Sequence, residues 1–397
     1  PQRFRYSGRY LRLNALVASV NLSHRNSAGF TPGLMTLPFT KRQVILSVAA
    51  AADVGPKEPS ELMPKITSGS KSHRSTRTLG FSPTIARGVV FGATALFAVS
   101  CGGEPAGGRA RFLSLGTGGT GGIYYPLGGA LASLLSLADS SRIYTAEVTG
   151  GAVENIHRIR AGQIDFAIAT ANTVYEAYFG SPDFGEPVDD LRIIAPLYPN
   201  PTHVLVSANS EAEDIEDFRG LRVSVGAPGS GTEQLSRTIL EAHGLTYEDL
   251  DVRYLTFNES ASALRDRVID AAIMSVGYPA AAILEATATG GARLLAMSPD
   301  RIQDLMARHP YFGVGEIPAG IYPGVTEPLA TAAVLNWIVG PERLPEEVAL
   351  NVLSILTDGR EDLERVHDMA LQINLDYLLD APIPLHRGTQ RWWVEGR

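Results

Sequence analysis

Strands and helices alternate twice along this chain, and that alternation restricts its fold more than any other feature of the sequence. In the first cycle, short apolar runs predict strands at 111–115, 143–148 and 166–170, separated by helices at 124–137 and 152–161. The second cycle has predicted strands at 222–225, 252–256, 271–275 and 293–297 and predicted helices at 233–243, 260–267 and 279–287. This order predicts two α/β units, each a largely parallel sheet flanked by helices.

The segments between and after the two cycles predict how the units are joined. Two further strands are predicted at 193–197 and 203–207, with a turn at 198–201 between them, where two prolines flank an asparagine. A predicted strand at 330–339 is long enough to run from one unit to the other. Two C-terminal helices are predicted at 346–356 and 361–373.

Residues 101–397 form a body that is longer than one typical hydrophobic core, so we predict two lobes. Lobe 1 contains 111–207 and 327–397, and lobe 2 contains 208–326. The chain crosses twice between them. This α/β arrangement with two chain crossovers is the architecture of periplasmic binding proteins.

A glycine-rich loop follows the first predicted strand and contains Gly116, Thr117, Gly118, Gly119, Thr120 and Gly121. Its G-x-G-x-x-G pattern is the nominal dinucleotide fingerprint, but the acidic residue expected at the end of the next strand is misplaced, since Glu147 lies within that strand. Two interpretations remain. The backbone N–H groups and the threonine hydroxyls bind a small anion at a helix N-terminus, or the glycines only form a tight turn.

The second unit repeats this device in the loop 226–232, which opens the helix predicted from Glu233. Ser230 and Thr232 either cap that helix, bind a ligand, or do both. A serine hydrolase is disfavoured because Pro228 breaks the G-x-S-x-G pattern around Ser230.

Charge and residue usage exclude several classes of function. The chain carries a net charge of −8, and because residues 1–100 contribute +10, residues 101–397 carry −18 and contain no lysine. An acidic body argues against nucleic acid as a partner. Without lysine there is no Walker A motif, no pyridoxal phosphate Schiff base and no lysine nucleophile. One cysteine and scattered histidines predict no metal site and no cofactor.

That cysteine, Cys101, ends the apolar run 88–100, which follows Arg87 and further basic residues. The run is too short to span a bilayer, so we interpret 81–101 as a signal peptide with a lipobox that lipidates Cys101. Ala98 stands where leucine is usual, so cleavage without lipid is the alternative. A flexible linker is predicted at 102–110.

Residues 1–80 lack sustained periodicity. We interpret them as a disordered extension or as sequence upstream of the true start, for which Met63 is a candidate.

Several longer motifs resemble one family. They are FLSLGTGGTGGIYYPLGGALA, LYPNPTHVLVS, FRGLRVSVGAPGSGTE, SVGYPAA, IPAGIYPG and PIPLHRG. These motifs resemble those of the TAXI family, the solute-binding subunits of TRAP transporters. The resemblance implies a type II periplasmic binding protein fold, no catalysis, and a small carboxylate ligand such as glutamate, glutamine or a 2-oxoacid. It also implies delivery to a TRAP-type membrane permease from the periplasm or the extracytoplasmic membrane surface, by a receptor that we expect to be a monomer.

The same resemblance implies a set of ligand-binding residues. They are Thr117, Gly118, Gly119, Thr120, Tyr124, Asn172, Tyr198, His203, Ser230, Gly231, Thr232, Ser275, Val276, Gly277 and Tyr322. Asn172 is expected in the loop after the third strand. Tyr198 and His203 either contact the ligand or lie in the hinge, and the tyrosines are alternatively packing residues. We also hypothesise that His203 gains a charge at mildly acidic pH.

Two other functions stay open at this point. A sensory binding protein would report the same ligand to a receptor or kinase instead of feeding a permease. A nucleotide-using or hydrolytic enzyme is the third class, and binding of NAD or turnover of an ester would support it.

Overall fold

The computed structural model of the protein describes residues 111–288 and 290–395. The predictions for 1–80, for the signal peptide at 81–101 with its lipidated Cys101, and for the linker at 102–110 lie outside the described residues.

The described chain alternates strands and helices in the predicted order. The strands are β1 (Arg111–Gly116), β2 (Arg142–Glu147), β3 (Phe166–Thr170), β4 (Leu191–Ser207), β5 (Arg222–Ser224), β6 (Asp251–Arg253), β7 (Ala271–Ser275), β8 (Ala292–Leu295), β9 (Phe312–Ile317) and β10 (Leu329–Pro341). The α-helices of the described residues are α1 (Tyr124–Ala138), α2 (Ala152–Arg160), α3 (Ala171–Phe179), α4 (Gly231–Ala242), α5 (Phe257–Arg265), α6 (Ala281–Ala288), α7 (Pro299–Arg308), α8 (Glu346–Asp358), α9 (Arg360–Val366) and α10 (Arg387–Glu395). The predicted α/β class is confirmed.

The strands form one ten-stranded sheet with the order β2-β1-β3-β10-β4-β7-β5-β6, while β8 pairs with β4 and β9 pairs with β10. We call β2-β1-β3 the first half of this sheet and β7-β5-β6 the second half. Strands β4 and β10, which lie between the halves, are called the crossing strands.

The strands of the first half run parallel to one another. Leu115 of β1 lies beside Phe166 of β3, and β3 is buried along its whole length. Helix α1 covers this half because Leu127, Leu131 and Leu135, four residues apart, all lie on its buried face.

The second half is also parallel, with Val223 of β5 beside Ala271 of β7. Helix α4 buries Leu235 and Ile239 against it, again four residues apart. The two halves are therefore built on the same plan, as the repeated cycle in the sequence predicts.

The crossing strands are long and antiparallel to each other. β4 has 17 residues and β10 has 13, and they pair from Leu191 beside Pro341 to Pro201 beside Ala333. β10 also pairs with β3 of the first half, and β4 also pairs with β7 of the second half; both pairs are antiparallel. The two predicted crossovers are thus present.

The turn predicted at 198–201 is wrong, because these residues lie inside β4. Pro199 pairs with Leu335 of β10, and the register of the two strands shifts between Leu335 and Trp337. Proline has no N–H for the ladder and is found in strands at such irregular positions, so the shift accommodates it.

A second difference follows β3, where a loop was predicted around Asn172. Helix α3 begins there directly, with Thr170 as its N-terminal flanking residue. Similarly, the helix predicted at 361–373 is divided into α9 and a 3-10 helix at Asp368–Gln372, because the His367 ring accepts a hydrogen bond from the N–H of Met369 at 3.1 Å.

Within the described residues, no helix is both long and apolar enough to cross a bilayer. The same residues contain no group of three or more histidine, cysteine, aspartate or glutamate side chains that is placed to hold a metal ion.

Candidate functional site

The carboxyl ends of strands from both halves reach a common cleft, the usual place for a ligand in an open α/β sheet. β3 ends at Thr170 and β7 at Ser275, and both residues line the cleft. It encloses about 470 Å³ of empty space, part of it open to solvent, which lies within the range of roughly 300–1,000 Å³ for small-molecule sites. Its lining consists of Gly118, Gly119, Gly122, Ile123, Tyr124, Gly150, Gly151, Ala152, Thr170, Tyr198, Asn200, Ser230, Gly231, Thr232, Phe257, Ser275 and Val276.

The first glycine-rich loop forms one wall through its backbone. Gly118 and Gly119 line the cleft, whereas Thr117 is turned away and donates its hydroxyl to the Glu147 carbonyl at 2.6 Å. Thr120 is exposed, and its hydroxyl accepts a hydrogen bond from Asn258 at 3.5 Å. The predicted threonine donors are therefore not part of the lining described for this cleft.

The second glycine-rich loop forms the opposite wall. The Ser230 hydroxyl accepts the N–H of Glu233 at 3.2 Å and donates to the Ala227 carbonyl at 2.7 Å, so Ser230 caps α4 and also lines the cleft. Gly231 lies so close to the Thr170 hydroxyl that an added Cβ would collide with it. Only glycine permits this approach between the halves.

Hydrogen bonds join the two walls beside the cleft. The N–H of Glu154 in α2 donates to the Gly229 carbonyl at 2.9 Å. The Thr173 hydroxyl of α3 donates to the side-chain oxygen of Gln234 in α4 at 2.6 Å, and Asn172 donates to the same oxygen at 3.2 Å. The protein is therefore in a closed arrangement, and Asn172 takes part in this contact without lining the cleft.

The Gln234 amide also contacts two carboxylates from the segment that follows β3. Its nitrogen donates to Glu176 at 2.9 Å and to Asp183 at 2.8 Å. Burial, and to a smaller extent the charge of Asp183, raises the pKa of Glu176 to about 7. We call these three side chains the latch.

Asn336 of β10, which is fully buried, connects three lining residues of the cleft by hydrogen bonds. Its amide nitrogen donates to the Tyr198 carbonyl and to the Asn200 side-chain oxygen, each at 2.8 Å, and its oxygen accepts the Tyr124 hydroxyl. Asn200 in turn donates to the Ser275 carbonyl at 3.3 Å. Tyr124 thus lines the cleft with its hydroxyl already bonded, and burial raises its pKa.

Two residues that line the cleft carry a buried side-chain hydroxyl without a hydrogen-bond partner. Tyr198 is 1% exposed and Ser275 is 4% exposed, and neither side-chain oxygen is paired. Burial raises the pKa of Tyr198, so its hydroxyl keeps its proton and is a donor. Buried polar groups are normally hydrogen-bonded, so these two unpaired hydroxyls are exceptions in the closed arrangement.

Three predicted site residues lie behind the lining. His203 is fully buried, and desolvation lowers its pKa to about 3, so the hypothesis of a charge at mildly acidic pH is wrong. Its ring packs edge-to-face on Tyr322 at 5.4 Å between centroids, and the Tyr322 hydroxyl accepts the N–H of Ala280 at 2.9 Å. Gly277 adjoins the lining residue Val276, and a Cβ added to it would meet Ile123 at 2.7 Å.

Eight lining residues were not predicted: Gly122, Ile123, Gly150, Gly151, Ala152, Thr170, Asn200 and Phe257. Gly150 and Gly151 follow a strand and directly precede α2, so the sequence has a third loop with glycines between a strand and a helix. Asn200 was interpreted as part of a turn. Phe257 has no local signal, because it reaches the cleft only through the tertiary fold.

Five helices begin at this cleft. Tyr124, Ala152, Gly231 and Phe257 are the first residues of α1, α2, α4 and α5, and Thr170 directly precedes α3. The N–H groups of the first helical turn lack partners within their own helix, and the helix dipole adds positive potential. The side chains of the lining carry no charge, but Glu154, Glu233 and Glu259 lie in the first turns of α2, α4 and α5 and reduce this potential.

Comparison with known proteins adds a family and a set of distant structural relatives. A family model described as the NMT1-like family matches residues 115–396. MatC from Rhodopseudomonas palustris with bound malate is 14% identical, covers 72% of this chain and 98% of its own, and gives a TM-score of 0.47. The alkanesulfonate-binding protein SsuA from Xanthomonas axonopodis pv. citri bound to MOPS is 17% identical, with coverage of 67% and 85% and a TM-score of 0.42. At this level of similarity, these structures identify no ligand for the chain.

Proposed function

The chain belongs to the NMT1-like family, and we propose that it is an extracytoplasmic solute receptor that binds a small carboxylate between two lobes. The proposed lobes are 111–207 with 327–397, and 208–326, which carry the first and second halves of the sheet. The observation that carries this proposal is the uncharged cleft at which five helices begin and whose lining includes two residues with a buried, unpartnered hydroxyl.

These groups supply part of the free energy that binding of an anion requires. Each helix N-terminus stabilises an anion by about 0.3–1 kcal/mol, and a hydrogen bond to a charged group contributes about 1.5–3 kcal/mol. Five helix starts therefore supply up to about 5 kcal/mol, and two such hydrogen bonds would add up to about 6 kcal/mol, before the cost of association. Micromolar binding requires about 8 kcal/mol.

Closure of the lobes explains how the site is completed. A solute that contacts both walls favours the closed arrangement over an open one, by as much as its contacts differ between the two. The hydrogen bonds from Glu154 to Gly229 and from Thr173 to Gln234 join the lobes only when the walls meet. The ligand and the latch thus stabilise the same state.

The motifs shared with the TAXI family support a TRAP-type membrane permease as the partner that receives the solute. Export with lipidation at Cys101 would place the receptor at the extracytoplasmic membrane surface, tethered by 102–110. A nucleotide is a poorer ligand, because Glu147, the acidic residue nearest to the fingerprint position, is paired with Arg158 at 2.5 Å.

The proposal is tested by native mass spectrometry of the purified protein for a co-purified solute. Calorimetry with amino acids and oxo-acids of four to six carbons then measures affinity. We expect Ser230→Ala to weaken binding about fivefold to tenfold, since it removes a cleft hydroxyl and the α4 cap. Ser298→Ala is the matched control, because Ser298 caps α7 in the same way and does not line the cleft. No binding by any acid, with no effect of Ser230→Ala on any co-purified solute, would refute it.

A further inference from the structure

The latch is the place where two acidic side chains of lobe 1 meet an amide of lobe 2. The single side-chain nitrogen of Gln234 donates to Glu176 at 2.9 Å and to Asp183 at 2.8 Å. Both carboxyl groups belong to 111–207, whereas Gln234 belongs to 208–326. One nitrogen therefore holds two acidic groups side by side, within the range over which like charges perturb each other, at a contact that forms only when the walls meet.

Lobe 2 also covers Glu176 with an aromatic side chain and leaves it without a counter-ion. The Tyr311 hydroxyl donates to Glu176 at 3.4 Å. The nearby guanidinium of Arg237 is directed to Asp183, at 3.7 Å, and to Glu233, at 2.8 Å. Among the described residues, no basic side chain forms an ion pair with Glu176. Closure thus buries this carboxyl beside a second one without neutralising it.

The groups around Glu176 come from both lobes, and their effects on its pKa have different signs. Burial raises the pKa of Glu176 most, the charge of Asp183 raises it further, and together they bring it to about 7. The Tyr311 hydroxyl and the charge of Arg237 act in the opposite direction, and Glu233 adds a smaller increase. Two histidines lie next to these partners: His157 is hydrogen-bonded to the Asp183 carbonyl at 3.1 Å, and His309 to the Tyr311 hydroxyl at 3.3 Å.

Opening of the lobes would remove Gln234, Tyr311 and the rest of lobe 2 from Glu176 and return the carboxyl to water. Its pKa would then fall from about 7 toward the ordinary value of 4.5. The closed arrangement therefore holds the proton more tightly than the open one, so proton binding and closure favour each other. Between pH 4.5 and 7 closure takes up a proton. Above pH 7 the closed arrangement must hold two ionised carboxylates at one amide, and the advantage is lost.

Going beyond the proposed function, although it rests on the two lobes of that proposal, we propose that the latch is a proton-controlled closure device. Glu176 takes up a proton when the lobes close, and its ionisation at higher pH favours opening. The charge of Asp183 sets the pH at which this occurs. Any solute that favours the closed arrangement then binds with uptake of a proton, whatever its chemical class.

Single-molecule fluorescence energy transfer measures closure of the full chain without any solute. The dyes are attached through Leu137→Cys in lobe 1 and Val268→Cys in lobe 2, at side chains that are 83% and 56% exposed, in a Cys101→Ser background. One unit of pKa difference between two states shifts their equilibrium about tenfold. We therefore expect the ratio of closed to open molecules to rise at least about tenfold from pH 8 to pH 5. A ratio that does not change with pH would overturn the inference.

Variants assign the effect to the latch. Glu176→Gln keeps an acceptor for the Gln234 amide and cannot ionise, so its closed fraction should be the same at pH 5 and pH 8. Asp183→Asn should move the transition to lower pH, because it removes the neighbouring charge. Glu186→Gln, at a 91% exposed side chain of the same segment, is the matched control and should behave as the wild type. Thermal unfolding verifies that each variant is folded. A pH dependence that persists in Glu176→Gln, or a transition that Asp183→Asn leaves in place, would overturn the assignment.

The outcomes for the latch and for the proposed function are distinguishable. A pH-dependent closed fraction in a protein that binds no acid in calorimetry would refute the proposed ligand class and leave the latch intact. Binding of an acid by a protein whose closed fraction is insensitive to pH would refute the latch alone. One interdye distance at every pH would overturn both the latch and the movement of the two lobes.

Discussion

Replacement of Glu176 by glutamine tests the electrostatics of the latch. Glu176 accepts the Gln234 amide at 2.9 Å and the Tyr311 hydroxyl at 3.4 Å, and Asp183 lies on the other side of the same amide. Glutamine keeps an acceptor oxygen at this position and removes the charge. The variant therefore isolates the cost of burying an ionised carboxylate next to another one.

The sign and size of the effect follow from the pKa of Glu176, which burial and the charge of Asp183 raise from 4.5 to about 7. Below pH 4.5 the carboxyl is protonated in both the folded and the unfolded protein. As the pH rises from 4.5 to 7, the folded protein retains a proton that the unfolded protein has lost, so the free energy of unfolding falls. At about 1.4 kcal/mol per pH unit, the loss above pH 7 is at most about 3 kcal/mol.

Urea unfolding of the wild type and of Glu176→Gln at pH 5, 6, 7 and 8 measures this loss. We expect similar stability at pH 5 and a variant that is more stable by up to about 3 kcal/mol at pH 8. The lowered pKa of buried His203 acts in the opposite direction, so only the difference between the two proteins isolates Glu176. Glu186→Gln, at a side chain that is 91% exposed, is the control. A difference that does not change with pH, or a less stable variant at pH 8, would refute the reasoning.

Three further changes have defined outcomes. Gln234→Leu removes the side-chain hydrogen bonds from Gln234 to the opposite wall, so we expect calorimetric affinity for the solute to fall about tenfold with little change in folding. Gly231→Ala should block closure and lower affinity at least tenfold, whereas Gly129→Ala, where an added Cβ meets nothing within 4 Å, should not; equal affinities in calorimetry would contradict this. Burial tends to raise the pKa of Asp139, but hydrogen bonds from Ser141, Arg142 and Tyr144 together outweigh it and lower the pKa to about 2. Stability from this group is therefore present above pH 4 and lost as the pH falls to 2, and Asp139→Asn should remove about 1 kcal/mol of it in unfolding experiments at pH 7 but not at pH 2.

The sequence predicted the strands of both halves well where five apolar residues form a run between polar loops. The bounds of β3 and β7 were predicted to the residue, because both strands are buried on both faces and their sequences show it directly. Elements whose formation depends on distant partners were predicted less well. The residues 198–201 form a strand because β10 pairs with them, and no local pattern contains that information. The sequence also gave no prediction for α7, β9 and α10.

The residues of the candidate site were likewise predicted where the signal is local and missed where it is not. The glycine-rich loops were found because strand, glycines and helix are adjacent in sequence, and their residues Gly118, Gly119, Ser230 and Gly231 line the cleft. The direction of a side chain was not predictable. Thr117 has the right residue type in the right loop, yet its hydroxyl bonds the carbonyl of a neighbouring strand.

The pairing of the crossing strands limits how the protein can open. Because β4 and β10 are hydrogen-bonded to each other from residue 191 to residue 201, neither can bend without the other, and neither can slide without breaking the ladder. This pairing favours rotation of one half against the other over translation. A solute that is too long cannot be accommodated by a lateral shift and instead holds the walls at an angle. If the protein is the proposed receptor, ligand length would set the angle between the walls, and only ligands of the right length would allow the contacts of the latch to form.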